Sequence, residues 1–228
     1  MDRLRIALVI PALNEAATIA AVVKGALRYG TCVVVDDGST DTTAEVAREA
    51  GALVVSHATN QGYDAALGSG CRVAAAIPCD AIITLDADGQ HNPALLSQFV
   101  DSLNNGSDMV LGVRSRRPRI AEHVFAWYTN WRFGIADPLC GMKAYRIGLY
   151  QALGYFDQQG SIGTELMLFG ARRGFKIASV QLNVGERLGQ PRFGRKLSAN
   201  LKIFRALWLA IQGIRGLKVE QNKCSKYY

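Results

Sequence analysis

The strongest constraint on the fold is a regular alternation in the first half of the chain. Apolar, β-branched runs at residues 6–9, 32–35, 53–56, 81–85 and 109–113 are separated by helical stretches near 15–29, 41–50, 62–77 and 93–104. Parallel neighbours need crossovers long enough to hold a helix, so the alternation predicts an open, mostly parallel α/β sheet with helices on both faces. Ser39 or Asp41 can cap the second helix, and Pro93 stands at a first helical turn. After residue 113 the rhythm breaks into an arginine-rich loop, an aromatic segment at 125–131 and the run 137–143. A helix at 161–173, stopped by Gly174, and a strand at 176–184 follow. No internal repeat or low-complexity tract interrupts this order.

In such a sheet, ligands bind beyond the carboxyl ends of the strands, and the acidic residues sit there. Residues 85–91 read Leu-Asp-Ala-Asp-Gly-Gln-His directly after an apolar run. Alternate residues of an extended segment point the same way, so Asp86 and Asp88 can converge, with Gln90 as a third oxygen. Hard Mg²⁺ or Mn²⁺ takes such ligands, commonly one or two carboxylates plus substrate phosphates. Three other segments join them on the same rim: 9–15 with Glu15, 34–41 with Asp36 and Asp37, and the Asn60-to-Gly70 loop and helix start. Asp37 and Glu15 can accept hydrogen bonds from a base or ribose, and glycine near 62 permits close backbone approach. Ser39 and Asp41 read as turn and cap residues.

The 228 residues, 49% of them hydrophobic, suffice for one full core. A net charge of +7 is concentrated at Arg114, Arg116, Arg117 and Arg119 and again from Arg187 to Arg205, a field that attracts anions without naming one. The five cysteines form no Cys-x-x-Cys pair, which argues against a disulfide framework or zinc knuckle; they read as reduced and mostly buried. His57, His91 and His123 are scattered and read as structural or surface groups. Trp127, Tyr128 and Trp131 are assigned to the core rather than to a sugar platform or a membrane surface.

With these residues in place, the chain resembles the family 2 glycosyltransferases. It is most similar to the polyprenyl-phosphate sugar transferases of the dolichyl-phosphate mannose synthase type. The likeness runs from about 5 to 190 through ordered segments: Pro11 to Glu15, Val34 to Asp41, Asn60 to Gly70, Asp86 to Pro93, Gly112 to Ser115 and Asp137 to Lys143. It implies a single glycosyltransferase A-type, Rossmann-like domain over residues 1–195, with a nucleotide-sugar half at 1–112 and an acceptor half at 113–195. It also implies a donor pocket of Pro11, Leu13, Glu15, Asp37, Asp86 and Ala87, and a divalent ion on Asp86, Asp88 and Gln90. The metal would offset charge on the departing nucleoside diphosphate of a GDP- or UDP-sugar. Such enzymes invert the anomeric centre in one displacement.

The acceptor depends on the second half. Asp64 stands where relatives often have glycine, the segment between Ser115 and Asp137 is shorter than in the mannose synthases, and the basic acceptor loop is altered at 187–196. A polyprenyl phosphate is already ionised and needs cations, for which Arg114, Arg187 and Arg192 are candidates. A hydroxyl of a cell-surface glycan would need a base, and Asp137 or Glu165 are then the catalytic candidates beside Asp88, which serves the ion. Asp137 reads equally as a turn residue before proline, whereas Glu165 reads first as an exposed first-turn helix residue.

Competing readings fare worse. A sugar-phosphate nucleotidyltransferase would carry a glycine-rich, arginine-containing loop after Ile10, and none is there. A non-enzymatic basic module for RNA or membrane leaves the acidic strand ends unexplained, so no nucleic-acid partner is expected. Residues 196–228 read as an amphipathic helix and tail. Within them, 197–217 place apolar positions at helical spacing among Lys202, Arg205 and Arg215, fitting either a helix over the sheet or peripheral membrane contact. Without a separate apolar leader or a bilayer-length apolar stretch, the expected location is cytoplasmic, at most peripheral to the inner membrane face.

Overall fold

The computed structural model describes residues 4–89, 93–182 and 196–213. Seven strands form one sheet: β1 (Ile6–Ala12), β2 (Thr31–Asp36), β3 (Leu53–Ser56), β4 (Ala81–Thr84), β5 (Met109–Arg114), β6 (Lys143–Arg146) and β7 (Ile177–Leu182). Their order is β3-β2-β1-β4-β6-β5-β7, and every pairing is parallel except those of β6. The alternating pattern of the first half thus gave the correct fold class. β1 is buried along its whole length, as a central parallel strand covered on both faces must be.

Helices α1 (Ile19–Ala26), α2 (Thr43–Glu49) and α4 (Leu96–Asn104) lie with one core cluster. In α1 the buried residues Ile19, Val22, Val23 and Ala26 follow the spacing of one helical face. The opposite cluster gathers α3 (Tyr63–Ala76), α5 (Ile120–Phe133), α6 (Ile147–Leu153), α7 (Glu165–Arg172) and α8 (Lys196–Gln212). α3 comes close to the sheet because residue 70 is glycine: a β-carbon there would stand 2.4 Å from Val9 Cγ1. Cys32, Cys71, Cys79 and Cys140 are free and buried.

The second half is more regular than its sequence pattern. The aromatic segment lies within α5, which ends at Gly134 in the left-handed region with φ +71°. The chain then returns as β6, antiparallel between β4 and β5, and enters α6. β6 escapes the strand pattern because its four residues begin and end with cations, although Lys143 is fully buried. Trp127 and Trp131 are corrected from core to surface: they are 69% and 71% exposed. They follow a helical period whose inner face is already filled by Ala121, Phe125 and Ala126, leaving them on the outer one. Tyr128, partly buried, packs inward and donates to the Ala210 carbonyl of α8.

Candidate active site

The strand order reverses between β1 and β4, and the acidic segments gather around the carboxyl ends of these strands. The loops are tied to one another by side chains. Asn14 accepts from the Thr40 amide at 2.9 Å while its own amide donates to Ser39 Oγ, and Asp41 accepts from the amides of Ala16 and Thr43. Ser39 and Asp41 therefore organise turns. The Glu15 amide donates to Thr43 Oγ1, and Thr18 Oγ1 bridges Glu15 Oε2 and the Ala87 carbonyl, joining the β1 and β4 ends. Pro11, in register with Val35, and Ala87 are buried, while Leu13 is half-buried.

Asp37 is 5% exposed and holds the 60–62 loop: Oδ1 accepts from the Gln61 amide and Oδ2 from the Gly62 amide. His57 Nδ1 lies 2.7 Å from Asp37 Oδ1, and its Nε2 lies 2.9 Å from Ser69 Oγ on α3. His57 thus acts structurally, as a strut between the β2 end and α3. Its partners are far from it in sequence, so spacing alone did not reveal the role.

Asp86 is half-buried and Asp88 buried, both on the turn after β4. The Tyr63 hydroxyl, at the first position of α3, donates to Asp86 Oδ1 at 3.2 Å. On the other side the Gly141 backbone closes on the Asp86 carboxylate. Gly141 arrives there because β6 runs antiparallel, which sets Lys143 beside Thr84 and lets Thr84 Oγ1 donate to the Gly141 carbonyl at 2.6 Å. No cluster of three His, Cys, Asp or Glu side chains that could hold a metal exists among the described residues. The two carboxylates fit a hard divalent ion whose remaining ligands are phosphate oxygens.

In the second half of the chain, Asp137 is 1% exposed and grips Arg114 at the end of β5. Arg114 Nε and Nη2 donate to its two oxygens at 2.8 and 2.9 Å, and the Arg114 amide adds a third bond. Nη2 also meets Glu122 of α5 at 3.1 Å. Burial opposes the Arg114 charge, but the bonds to Asp137 outweigh it and hold the guanidinium above its ordinary range. Glu165 is buried, not exposed as a first-turn surface residue would be. Its oxygens accept from Tyr155 Oη, the Gln158 and Gln159 amides and Gln159 Nε2, which shapes the loop before α7.

Beside this loop stands a group that sequence reasoning singled out only as a departure. Asp64 Oδ2 accepts from the Ile162 amide, while Oδ1 is buried without a partner among the described residues. Burial, with the nearby Asp157 charge, pushes the Asp64 carboxyl up to about 6. Burial also draws Lys143 down to about 8, its ammonium donating to the Gly163 carbonyl. Ile162 holds φ +59°, a costly conformation for a β-branched residue. Gln90, His91, Arg187 and Arg192 lie outside the described residues.

Comparison with known proteins agrees with this geometry. The model of the family described as Glycosyl transferase family 2 matches residues 7–156. An uncharacterized glycosyltransferase of Mycobacterium tuberculosis is 32% identical over 81% of this chain and 87% of its own. The dolichyl-phosphate hexose transferase of Haloferax volcanii is 33% identical, covering 69% of this chain and 72% of its own. Among solved structures, glucosyl-3-phosphoglycerate synthase from M. tuberculosis, in complex with Mn²⁺ and UDP-glucose, superposes with a TM-score of 0.71 at 26% identity. That likeness covers 91% of this chain and 78% of the other.

Proposed function

Because the chain belongs to glycosyl transferase family 2 and is a nucleotide-sugar-dependent glycosyltransferase, we propose that it moves a sugar, with inversion, from a nucleoside-diphosphate donor to a polyprenyl phosphate. One observation carries the choice of acceptor. Both carboxylates that the sequence offers as base for a hydroxyl are engaged: Asp137 by Arg114, and Glu165 by four hydrogen bonds. A phosphate monoester, with its second pKa near 6, arrives largely ionised and needs no base. The relative from H. volcanii, by its name, uses dolichyl phosphate, which supports the same acceptor class.

In this reading Asp86 and Asp88 would hold Mg²⁺ or Mn²⁺, and Gln90, outside the described residues, would offer a further oxygen. The ion, when bound, neutralises charge that develops on the leaving diphosphate. The nucleotide side is assigned to the ends of β1 and β4, where Leu13 is half-buried and Pro11, Glu15 and Ala87 are buried behind it. Asp37 sets the 60–62 loop and keeps lone-pair capacity for the base or ribose, since a carboxylate offers about four acceptor sites and the structure fills three. Asp86, steadied by Tyr63, would serve both nucleotide and ion. The acceptor phosphate is assigned to the cations Arg114, Arg187 and Arg192, of which the last two lie outside the described residues. A phosphate oxygen of the acceptor attacks the anomeric carbon as the bond from that carbon to the diphosphate oxygen breaks on the opposite face. The diphosphate leaves with the electron pair.

The structural relative binds UDP-glucose with Mn²⁺, which supports a UDP-sugar here ahead of a GDP-sugar. The test is a transfer assay with UDP- and GDP-sugars, Mn²⁺ and a short-chain polyprenyl phosphate, with product anomers read by NMR. Inverted sugar on the lipid phosphate is expected. Full transfer to soluble sugar hydroxyls with none to polyprenyl phosphate would overturn the acceptor.

A further inference from the structure

Most of the large apolar side chains that are exposed among the described residues lie on α5 and α8, which pack against each other. Ile120, Val124, Trp127 and Trp131 are exposed along α5, and Leu201, Phe204, Trp208 and Ile211 along α8. Ile120, Trp127, Trp131 and Leu201 each expose about seven-tenths or more of their surface. Elsewhere among the described residues only Leu27 and Leu53 are large, apolar and exposed. Both helices already bury an inner face, through Ala121, Phe125, Ile203, Ala206, Leu207 and Ala210, so the outer stripes are surplus to the core. A helix apolar on both sides is unusual in water.

We propose that α5 and α8 together form a docking face for an anionic lipid bilayer, with the stacked pair Trp127 and Trp131 as its central contact. The rings stack at 6.3 Å and 7° between planes. Tryptophan favours the boundary between acyl chains and headgroups, where its ring is buried and its N–H stays wet. The charge pattern selects the partner. α8 has no acidic residue, and the single acid of α5, Glu122, is buried against Arg114 and Arg119. Exposed cations, Arg132, Lys202 and Arg205, edge the stripes. A second copy docked through a twofold axis would set like charges against each other, whereas anionic headgroups complement them. No helix of the described residues is long and apolar enough to cross a membrane, so contact through this face is interfacial.

The face is joined to the site. α5 begins after Arg114 and leads into Asp137, while Arg205 of α8 donates to the Gly160 carbonyl in the loop that Glu165 organises. Docking here deepens the reading of a lipid-linked acceptor, because it sets the acceptor half beside the headgroups. Lipid binding itself can be measured without any acceptor.

All three tryptophans of the chain lie on this face, so their fluorescence reports it alone. The full chain is floated with vesicles of phosphatidylcholine and of phosphatidylcholine mixed with phosphatidylglycerol. Tryptophan emission is followed in parallel with brominated acyl chains. Binding to the mixed vesicles, a blue shift and quenching are expected, with Lys202→Gln lowering the partition about fivefold. Trp127→Glu with Trp131→Glu is expected to abolish flotation while keeping thermal stabilisation by UDP and Mn²⁺. Absence of flotation and quenching in the unaltered protein overturns the proposal, as does a solution dimer that the same double variant converts to monomer. Vesicle binding with no sugar transfer to polyprenyl phosphate would leave docking standing and remove the acceptor instead.

Discussion

Gly141 lies so close to Asp86 that a β-carbon on residue 141 would stand 2.3 Å from the carboxylate Oδ2. The contact is made by backbone against an oxygen that belongs to the proposed ion site. Gly141→Ala therefore forces the Asp86 carboxylate away while leaving the buried apolar cores intact. The expected outcome is a loss of UDP and Mn²⁺ binding by about tenfold or more, with a melting temperature in the absence of ligand close to that of the parent. Calorimetric titration and a thermal scan measure the two separately. Unchanged affinity would mean that Asp86 has no part in the site.

Asp88 gives the complementary test. It is buried on the β4 turn, and its assigned work is to hold the ion. A ligand present at 100 times its dissociation constant stabilises a fold by about 2.7 kcal/mol. UDP with Mn²⁺ is expected to raise the melting temperature of the parent accordingly, and Asp88→Ala is expected to lose that rise. Equal stabilisation with and without the carboxylate would remove the metal assignment.

The pH dependence of stability follows from Asp64. With its carboxyl pushed up to about 6 against an ordinary 3.8, the folded chain binds this proton more tightly than the unfolded one. The favourable contribution is complete below the unfolded value and fades as pH rises through the folded one, from about pH 4 to past pH 6. Asp64→Asn keeps an oxygen for the Ile162 amide and removes the buried charge. Above pH 7 it is expected to be more stable than the parent by roughly 2–3 kcal/mol, with a flatter profile between pH 4 and 7. Melting temperature against pH measures this. A variant less stable at every pH would show that Lys143 compensates the charge in full.

The first half of the fold is legible in the sequence because its signals are local. Alternation marks the parallel strands, and each acidic segment sits within a few residues of a strand end, which places Asp37, Asp86 and Asp88 on the rim of the sheet. What was missed depends on distance. His57 reaches Asp37 across 20 residues and Ser69 across 12, and no periodicity marks such a strut. β6 is four residues long, and the burial of its lysine comes from tertiary packing. The tryptophans of α5 share one helical stripe, but a stripe reveals only that they face together. Whether that face meets the core or the solvent was decided by Phe125 and Ala126 on the other side.

Asp137 separates two chemistries in one measurement. Its carboxylate is buried and bonded to Arg114 by two side-chain contacts and one backbone contact. Removing one partner of a buried pair leaves the other charge uncompensated, at a cost of about 3 kcal/mol or more. Glu122 still faces Arg114 and limits the loss to the low end of that range. For Asp137→Ala the expected fall in melting temperature is roughly 10 °C, with the stabilisation by UDP and Mn²⁺ retained because the bonds of this pair run to Glu122 and not to Asp86 or Asp88. If the carboxylate only positions Arg114, the rate of transfer to polyprenyl phosphate falls without acquiring a new dependence on pH. If it were instead the base for a hydroxyl acceptor, Asp137→Asn would abolish turnover and erase the acid limb of the pH–rate profile. The two outcomes differ in shape as well as size, so a profile from pH 5 to 9 distinguishes them.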